Sequence, residues 1–238
     1  MAVIAPPLVL STDSGPVDAA QGIGYMMADA NIPYDLLDIG KNLNEYKVII
    51  ANGYAWSDAQ LQKLLDFARA GGTVIAMDER FAARNEQYVE VQRPDLAALK
   101  TDGTHKLGSG QFIFFRDYLG WKYWDHKDAA AFNFIYNAVK TIATPNTAGA
   151  GVQIIPYISG NNIVVHILND NYANNAFTTQ INVPVSVKIP GGLTAQNKTL
   201  TLLSPDGKAA VNLEYTVEAG WLKFTVPELY IWSVVVLK

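Results

Sequence analysis

The sequence contains no cysteine. Disulfide bonds, thiolate metal sites and a cysteine nucleophile are therefore all excluded, because each of them needs a thiol. Histidine is scarce as well, and the three residues are His105, His126 and His166. They lie in separate segments, without the spacing of paired metal ligands. We expect no metal and no cofactor.

Charge is sparse too, since 17% of the residues are charged and the net charge is −4. The lysines and arginines are scattered, whereas a nucleic-acid-binding face needs a basic stripe. The longest apolar runs, such as residues 231–237, fall far short of the roughly 20 residues that cross a bilayer. We therefore expect neither a nucleic acid nor a membrane as partner.

The first residues give little information about the compartment. Residues 1–7 have neither a basic segment nor an apolar stretch as long as that of a secretion signal. We interpret them as a linker that leads into the first strand. A cytoplasmic location and secretion as part of a larger bacterial protein both stay open.

What the sequence does have, in its first half, is an alternation of short apolar runs with amphipathic stretches. Strands are predicted at residues 8–10, 34–39, 47–51, 73–77 and 110–115, and helices at residues 17–31, 58–70 and 128–141. Ser57 and Gln60 predict a capping box at the start of the second helix. Residues 81–109 predict an irregular excursion with one or two short elements. The pattern indicates a flavodoxin-like, doubly wound parallel sheet over residues 1–147.

After Gly151 the apolar residues recur with a period of two. Strands are predicted at residues 152–157, 162–168, 183–189, 198–203, 211–215, 221–226 and 230–237. Evenly spaced strands without helices are typical of an antiparallel β-sandwich, which we assign to residues 148–238. Trp221 and Trp232 lie in these strands, and we expect both in the core of the sandwich.

Residues 46–76 carry a family resemblance, because they run from a strand through a loop and a helix to a Gly-Gly-Thr step. This stretch resembles the amidotransferase-like middle domain of microbial β-galactosidases, called the trimerisation domain. Residues 164–169, 226–229 and 234–237 resemble parts of the β-sandwich that follows such domains in glycoside hydrolases. The resemblance implies a C-terminal accessory region with other copies or an upstream catalytic domain as its partner. Its α/β domain would mediate oligomerisation or cover a neighbouring active site.

The sequence also departs from that family. Active class I amidotransferases carry a cysteine on the turn after a central strand, and the comparable turn here holds Asp78, Glu79 and Arg80. The resemblance therefore implies a catalytically dead domain. A glycosidase barrel of about 250 residues would not fit beside two domains in this chain.

Three acidic residues, Asp13, Asp78 and Glu79, follow predicted strands at the edge where doubly wound sheets bind ligands. One interpretation is structural, with Arg80 paired to one of the acids. The other is a hydrolase site that uses these acids. A catalytic pair must face one substrate bond from two sides, which adjacent residues seldom do.

Aromatic residues suggest a different site. Trp121, Tyr123 and Trp124 form a cluster, and Trp56 lies on a loop at the predicted strand edge. Such rings stack on sugars, which predicts a carbohydrate-binding module for an oligo- or polysaccharide. The same residue types are favoured at subunit interfaces. Three functions thus stay open: a non-catalytic accessory region, a carbohydrate-binding module and a hydrolase.

Overall fold

The computed structural model describes all residues except 8–13 and 206–208. The predicted strand at residues 8–10 and the candidate acid Asp13 lie outside the described residues. Residues 2–4, interpreted above as part of a linker, form a strand that is fully buried. The interpretation was wrong because Ala-Val-Ile is itself a continuous apolar run of the kind that fills the centre of a parallel sheet.

The chain divides into two compact units. The first unit consists of Met1–Met27 and Tyr34–Thr144, and the second of Ala28–Pro33 and Pro145–Lys238. The short segment Ala28–Pro33 is thus grouped with residues far along the chain, which the sequence did not predict. The domain boundary between residues 147 and 148 stays a prediction.

A mixed six-stranded sheet forms the centre of the first unit. Its strands are β1 (Ala2–Ile4), β2 (Asp35–Leu37), β3 (Val48–Ala51), β4 (Thr73–Met77), β5 (Gly103–Leu107) and β6 (Gly110–Phe115). They lie in the order β2-β1-β3-β4-β6-β5. All neighbours are parallel except β5, which is antiparallel to β6. The expectation of a purely parallel sheet is corrected at this edge, where Gly108 at φ +59° permits a tight hairpin turn.

Five helices belong to the described part of this half of the chain: α1 (Gly15–Asp29), α2 (Asp58–Arg69), α3 (Pro94–Ala97), α4 (Leu119–His126) and α5 (Ala129–Val139). The capping box of α2 is confirmed. Its Gln60 amide donates to Ser57 Oγ at 3.2 Å, and the Ser57 amide donates to Gln60 Oε1 at 2.9 Å. The aromatic cluster of Trp121, Tyr123 and Trp124 lies on α4, and the excursion at residues 81–109 contains α3 and β5.

Helices α1 and α4 pack with their backbones unusually close. A Cβ atom added to Gly22 would lie 1.9 Å from the carbonyl oxygen of Gly120. A Cβ atom added to Gly120 would lie 2.4 Å from the carbonyl oxygen of Ala19. The two helices therefore depend on glycine at their point of contact, because no other residue leaves room for the facing carbonyl group.

The second unit consists of antiparallel sheets. Its strands are β7 (Val152–Ser159), β8 (Asn162–Asn169), β9 (Tyr172–Ala173), β10 (Ala176–Phe177), β11 (Gln180–Lys188), β12 (Leu200–Leu203), β13 (Val211–Leu213), β14 (Tyr215–Glu218), β15 (Trp221–Leu229) and β16 (Trp232–Leu237). One sheet has the order β13-β12-β16-β8-β7, another has the order β11-β15-β14, and β9 pairs with β10. Side chains from the two larger sheets form one apolar core, among them Val165, Ile167, Val185 and Phe224.

Alternation along β16 decides which of its side chains enter that core. Ser233, Val235 and Leu237 are buried, with 2%, 0% and 0% of their surface exposed. Trp232 is on the opposite face of the strand and is 37% exposed. The expectation that Trp232 belongs to the core was therefore wrong. Trp221 is half-buried, with the ammonium group of Lys188 5.0 Å from its ring centroid.

Candidate functional site

The carboxyl ends of β3, β4 and β6 meet at one edge of the first unit's sheet, because these strands are parallel neighbours. The side chains that gather there are Tyr54, Asp78, Arg80 and Tyr118. Ligands of open α/β sheets bind at this edge. The sequence placed Asp78, Arg80 and the loop that carries Tyr54 at this edge, and it did not predict Tyr118 there.

Asp78 follows β4 directly and has a left-handed backbone, with φ +79°. Its amide donates to the carbonyl oxygen of Phe115 at 2.9 Å, which ties the turn to the neighbouring strand β6. Aspartate tolerates this conformation better than most residues, because its short side chain makes local hydrogen bonds. Here the carboxylate accepts a hydrogen bond from the backbone amide of Arg80 at 2.9 Å.

The Arg80 side chain closes over this carboxylate. Its Nη2 donates to Asp78 Oδ2 at 2.9 Å and its Nε to Oδ1 at 3.2 Å, so the pair is bidentate. The Asp78 side chain is 4% exposed. The guanidinium carbon lies 4.3 Å from the ring centroid of Tyr54 and 5.4 Å from that of Tyr118, so the cation contacts both rings. The hydrogen bond with Asp78 raises the pKa of Arg80.

Burial shifts the pKa values of two further groups at this edge. It raises the pKa of the Tyr118 hydroxyl well above its ordinary value, because a buried phenolate loses its hydration. It lowers the pKa of the Lys100 ammonium group for the corresponding reason. Lys100 Nζ donates to the carbonyl oxygen of Phe81 at 3.0 Å. Lys100 therefore binds the turn after β4 through Phe81, and Tyr118 contacts the same turn through Arg80.

A cleft of about 480 Å³ opens beside this turn, lined by Asp78, Glu79, Arg80, Asp102, Arg116, Asp117 and Tyr118. Most of its acids already have partners. Asp102 accepts a hydrogen bond from the Arg116 amide, and Asp117 pairs with Lys122. The Asp78 carboxylate is itself occupied, because both of its oxygens accept hydrogen bonds from Arg80. Glu79 is exposed and is the remaining candidate among the two described strand-end acids.

Replacing Asp78 tests whether this turn is a structural element. We expect Asp78→Ala to lower the free energy of unfolding by about 2–3 kcal/mol, because it removes hydrogen bonds to a charged group and leaves alanine with a positive φ. Asp78→Asn keeps a residue that tolerates the conformation and should cost about half as much. Urea unfolding followed by circular dichroism measures both. Glu79→Ala is the exposed control, and an equal loss in that variant would contradict the structural role.

Trp56 is fully buried, which removes it from the predicted sugar-binding set. Its Nε1 donates to the carbonyl oxygen of Gly53 at 3.0 Å, and its ring lies 5.3 Å from that of Phe81. The side chain has 0% of its surface exposed. A sugar cannot stack on a ring whose faces both lie in the core, so the expectation for Trp56 is corrected.

Helix α4 distributes the other three aromatic candidates over two faces. Trp121 and Trp124 are three residues apart and share one face of the helix. Trp124 is 37% exposed, and Trp121 is half-buried with its ring edge-on to His126 at 6.1 Å. Tyr123 is 7% exposed, and the Lys127 ammonium group lies 4.7 Å from its ring. The surface available to a partner is therefore that of Trp121 and Trp124.

The described residues hold no group of three histidine, aspartate or glutamate side chains placed to bind a metal ion. None of the helices in the described part of the chain has the length and apolar character needed to cross a membrane.

No protein-family model and no curated protein matches this sequence. Solved structures do match. An α-L-fucosidase isoenzyme 2 from Paenibacillus thiaminolyticus superposes with a TM-score of 0.68 at 14% identity, over 100% of this chain and 48% of its own. A catalytic mutant of Gan42B, a GH42 β-galactosidase from G. stearothermophilus, gives a TM-score of 0.58 at 13% identity, over 99% and 40%. A β-galactosidase from Rahnella sp. R3 gives 0.59 at 12% identity, over 99% and 40%.

The likeness is one of fold. At such low identities the matches say that this chain is folded like a part of these glycoside hydrolases. The chain spans less than half the length of each of the three structures. Their activities are therefore statements about those proteins.

Proposed function

We propose that this chain is a non-catalytic accessory part of a carbohydrate-active enzyme. The observation that carries the proposal is the closed turn after β4. By the resemblance, the turn that carries Asp78 corresponds to the turn that holds the nucleophile of an amidotransferase. The Asp78 carboxylate accepts hydrogen bonds from Arg80 at 2.9 Å and 3.2 Å. The absence of cysteine from the whole sequence adds support, because no thiol exists to replace it.

The fold supports the finer parts of this proposal. Five parallel strands in the order β2-β1-β3-β4-β6 suit a flavodoxin-like, class I amidotransferase-like first domain. We assign residues 1–147 to that domain and residues 148–238 to a β-sandwich domain. Likeness to parts of a fucosidase and of β-galactosidases suits a bacterial glycoside hydrolase as the parent enzyme.

The role we propose for the α/β domain is association between copies, of the kind that the trimerisation domain provides. We define the α4 surface by Trp121 and Trp124, together with Tyr25 of α1, which is 47% exposed. The Lys127 ammonium group lies 4.9 Å from the Tyr25 ring and 4.7 Å from that of Tyr123, so one cation bridges α1 and α4 here. Tryptophan and tyrosine are enriched at interfaces, which favours a protein partner. An upstream catalytic domain is the alternative partner.

Light scattering tests the association. We expect the chain to form an oligomer whose mass falls toward that of the monomer in Trp124→Ala, because that change removes the largest exposed ring of the α4 surface. Tyr172→Ala is the control, since Tyr172 is 56% exposed on a hairpin of the second unit. Equal masses for the wild type and Trp124→Ala would count against the α4 surface as the interface.

An activity assay tests the non-catalytic part separately. We expect the chain to release no nitrophenol from nitrophenyl fucosides or galactosides and no ammonia from glutamine. Hydrolysis that disappears in Glu79→Gln would instead support the hydrolase that the strand-end acids suggested.

A carbohydrate-binding module at Trp121 and Trp124 is the second candidate function. It is favoured by the position of both indoles on one helix face, with Trp124 37% exposed. Polysaccharide binding that is lost in Trp124→Ala, with the mass unchanged, would choose this candidate over association.

A further inference from the structure

The outer face of the five-stranded sheet carries three aromatic side chains on neighbouring strands. Tyr157 lies on β7, His166 on β8 and Trp232 on β16. His166 is opposite Ile155 on one side and Val234 on the other. Tyr157 is two residues after Ile155 and Trp232 is two residues before Val234, so both are diagonal neighbours of His166. We call these three residues the Trp232 platform.

Two of the three rings form a continuous flat surface. Trp232 Nε1 donates to Nδ1 of His166 at 3.1 Å, and the ring planes differ by 6° with their centroids 5.4 Å apart. An indole N–H points along its own ring plane. Its hydrogen bond to a parallel imidazole therefore places the rings side by side and not face to face. The bond fixes the orientation of both rings before any ligand arrives.

Tyr157 stands at the end of this surface as a wall. Its ring makes an angle of 82° with the imidazole, and the centroids lie 5.4 Å apart. The surface is accessible, since Trp232 is 37% and Tyr157 55% exposed. Among the described residues, neither the Tyr157 hydroxyl nor His166 Nε2 has a hydrogen-bond partner. Each can form a hydrogen bond with a hydroxyl group of a ligand.

A flat apolar floor with polar atoms at its rim fits a sugar ring. A pyranose presents C–H groups on its faces and hydroxyl groups around its edge, so it can stack and hydrogen-bond at once. We propose that the Trp232 platform binds a sugar ring of an oligo- or polysaccharide. The ring stacks on the indole and imidazole, and its hydroxyls bond to Tyr157 Oη and His166 Nε2.

Other ligands fit this surface less well. A nucleobase also stacks, but it brings phosphates, which need nearby lysine or arginine. The outward-facing neighbours of the platform on β7, β8 and β16 are Gln153, Ile155, Val164, Leu168, Val234 and Val236, and none of them is basic. A stable protein interface buries about 800 Å² on each partner, whereas the apolar neighbours of the platform are already half-buried and add little exposed area to its rings. A sugar is the ligand of matching size.

The proposal stands apart from the non-catalytic role and from the α4 surface. Its residues lie in the second unit, whereas association is read by mass and catalysis by turnover. The carbohydrate-binding candidate on α4 is separated from it by the variant that loses glycan binding, which is Trp124→Ala for α4 and Trp232→Ala for the platform. If one proposal fails its experiment, the experiments that test the other proposals still decide those proposals.

Affinity electrophoresis of the whole chain tests the platform. Native gels would contain xyloglucan, arabinogalactan, galactomannan or mixed-linkage β-glucan, beside a gel without polymer. We expect retardation in at least one of these polymers, with a dissociation constant that rises at least tenfold in Trp232→Ala. Trp232→Phe and His166→Phe keep a ring but break the bond between the rings, so a smaller loss is expected. Tyr172→Ala is the control, since Tyr172 is an aromatic residue of the second unit that is 56% exposed and lies outside the platform.

Several results would overturn the proposal. These are no retardation of the wild type in any polymer, equal retardation of Trp232→Ala, or a loss of retardation in Trp124→Ala alone. A fall in light-scattering mass in Trp232→Ala would show that the platform is an interface between copies instead. Urea unfolding of Trp232→Ala should match the wild type within about 1 kcal/mol, because the side chain lies outside the core. If that variant unfolds, His166→Phe and Trp232→Phe decide the question.

Discussion

Trp56→Ala is expected to lower the free energy of unfolding of this protein by about 3–5 kcal/mol, the range for deleting a large aromatic side chain from a core. The indole is completely buried against Phe81, and its N–H satisfies the carbonyl group of Gly53. Alanine would leave a cavity at the carboxyl end of β3 and a buried carbonyl oxygen without its donor. Urea unfolding followed by circular dichroism measures the loss.

Trp124→Ala is the control for this prediction, because its indole is 37% exposed on helix α4. We expect that change to cost less than about 1 kcal/mol. A wild-type unfolding midpoint in Trp56→Ala would mean that the indole is not a core side chain. The earlier interpretation of Trp56 as a sugar-stacking ring would then return.

Gly22→Ala is expected to lower the free energy of unfolding by about 2–3 kcal/mol, at the upper end of the usual cost of overpacking. The new methyl group would meet the carbonyl oxygen of Gly120 at 1.9 Å, so helices α1 and α4 must move apart. Neither partner has a side chain that can turn away. Thermal unfolding of the two proteins measures the difference.

Gly24→Ala in the same helix is the matched control. Its methyl group would lie 2.6 Å from the hydroxyl oxygen of Tyr34, the far end of a side chain that is 38% exposed and can swing outward. Alanine also favours a helix over glycine by about 1 kcal/mol, which offsets the cost of moving the phenol. We expect little net change. Equal losses in Gly22→Ala and Gly24→Ala would argue against a backbone contact between the helices.

Local signals explain which elements the sequence predicts well. Helix α2 has a capping serine, its glutamine partner and a glycine at its end, so each boundary has its own physical cause. Strand β5 lacks such signals, since the polar residues His105 and Lys106 occupy its middle. It pairs because the tight turn at Gly108 folds it back on β6, and that is a tertiary effect.

The two tryptophan errors have opposite causes. Trp56 follows a strand on a loop, where sequence alone favours exposure, yet the loop folds inward and buries it. Trp232 begins a strand in which Val234 and Val236 face outward and Val235 and Leu237 inward, so apolar residues lie on both faces. The alternation of apolar and polar residues that would have identified the outer face is therefore missing from this strand.

The pairing of Asp78 with Arg80 could be predicted from the sequence, because the two residues are near neighbours in the chain. The contacts of Arg80 with Tyr54 and Tyr118 could not, because they join three loops.

The grouping of Ala28–Pro33 with the second half of the chain constrains the order of folding. Asn31 supplies hydrogen bonds to the first residues of β7, from Nδ2 to the Val152 carbonyl oxygen at 3.0 Å and from the Ile154 amide to Oδ1 at 2.6 Å. On the ribosome, this segment is made more than a hundred residues before its partners. Its hydrogen bonds to β7 can therefore form only after the strands of the first sheet have been synthesised. A fragment that starts at residue 148 lacks these bonds, so the second unit is completed only when an early and a late piece of the chain come together.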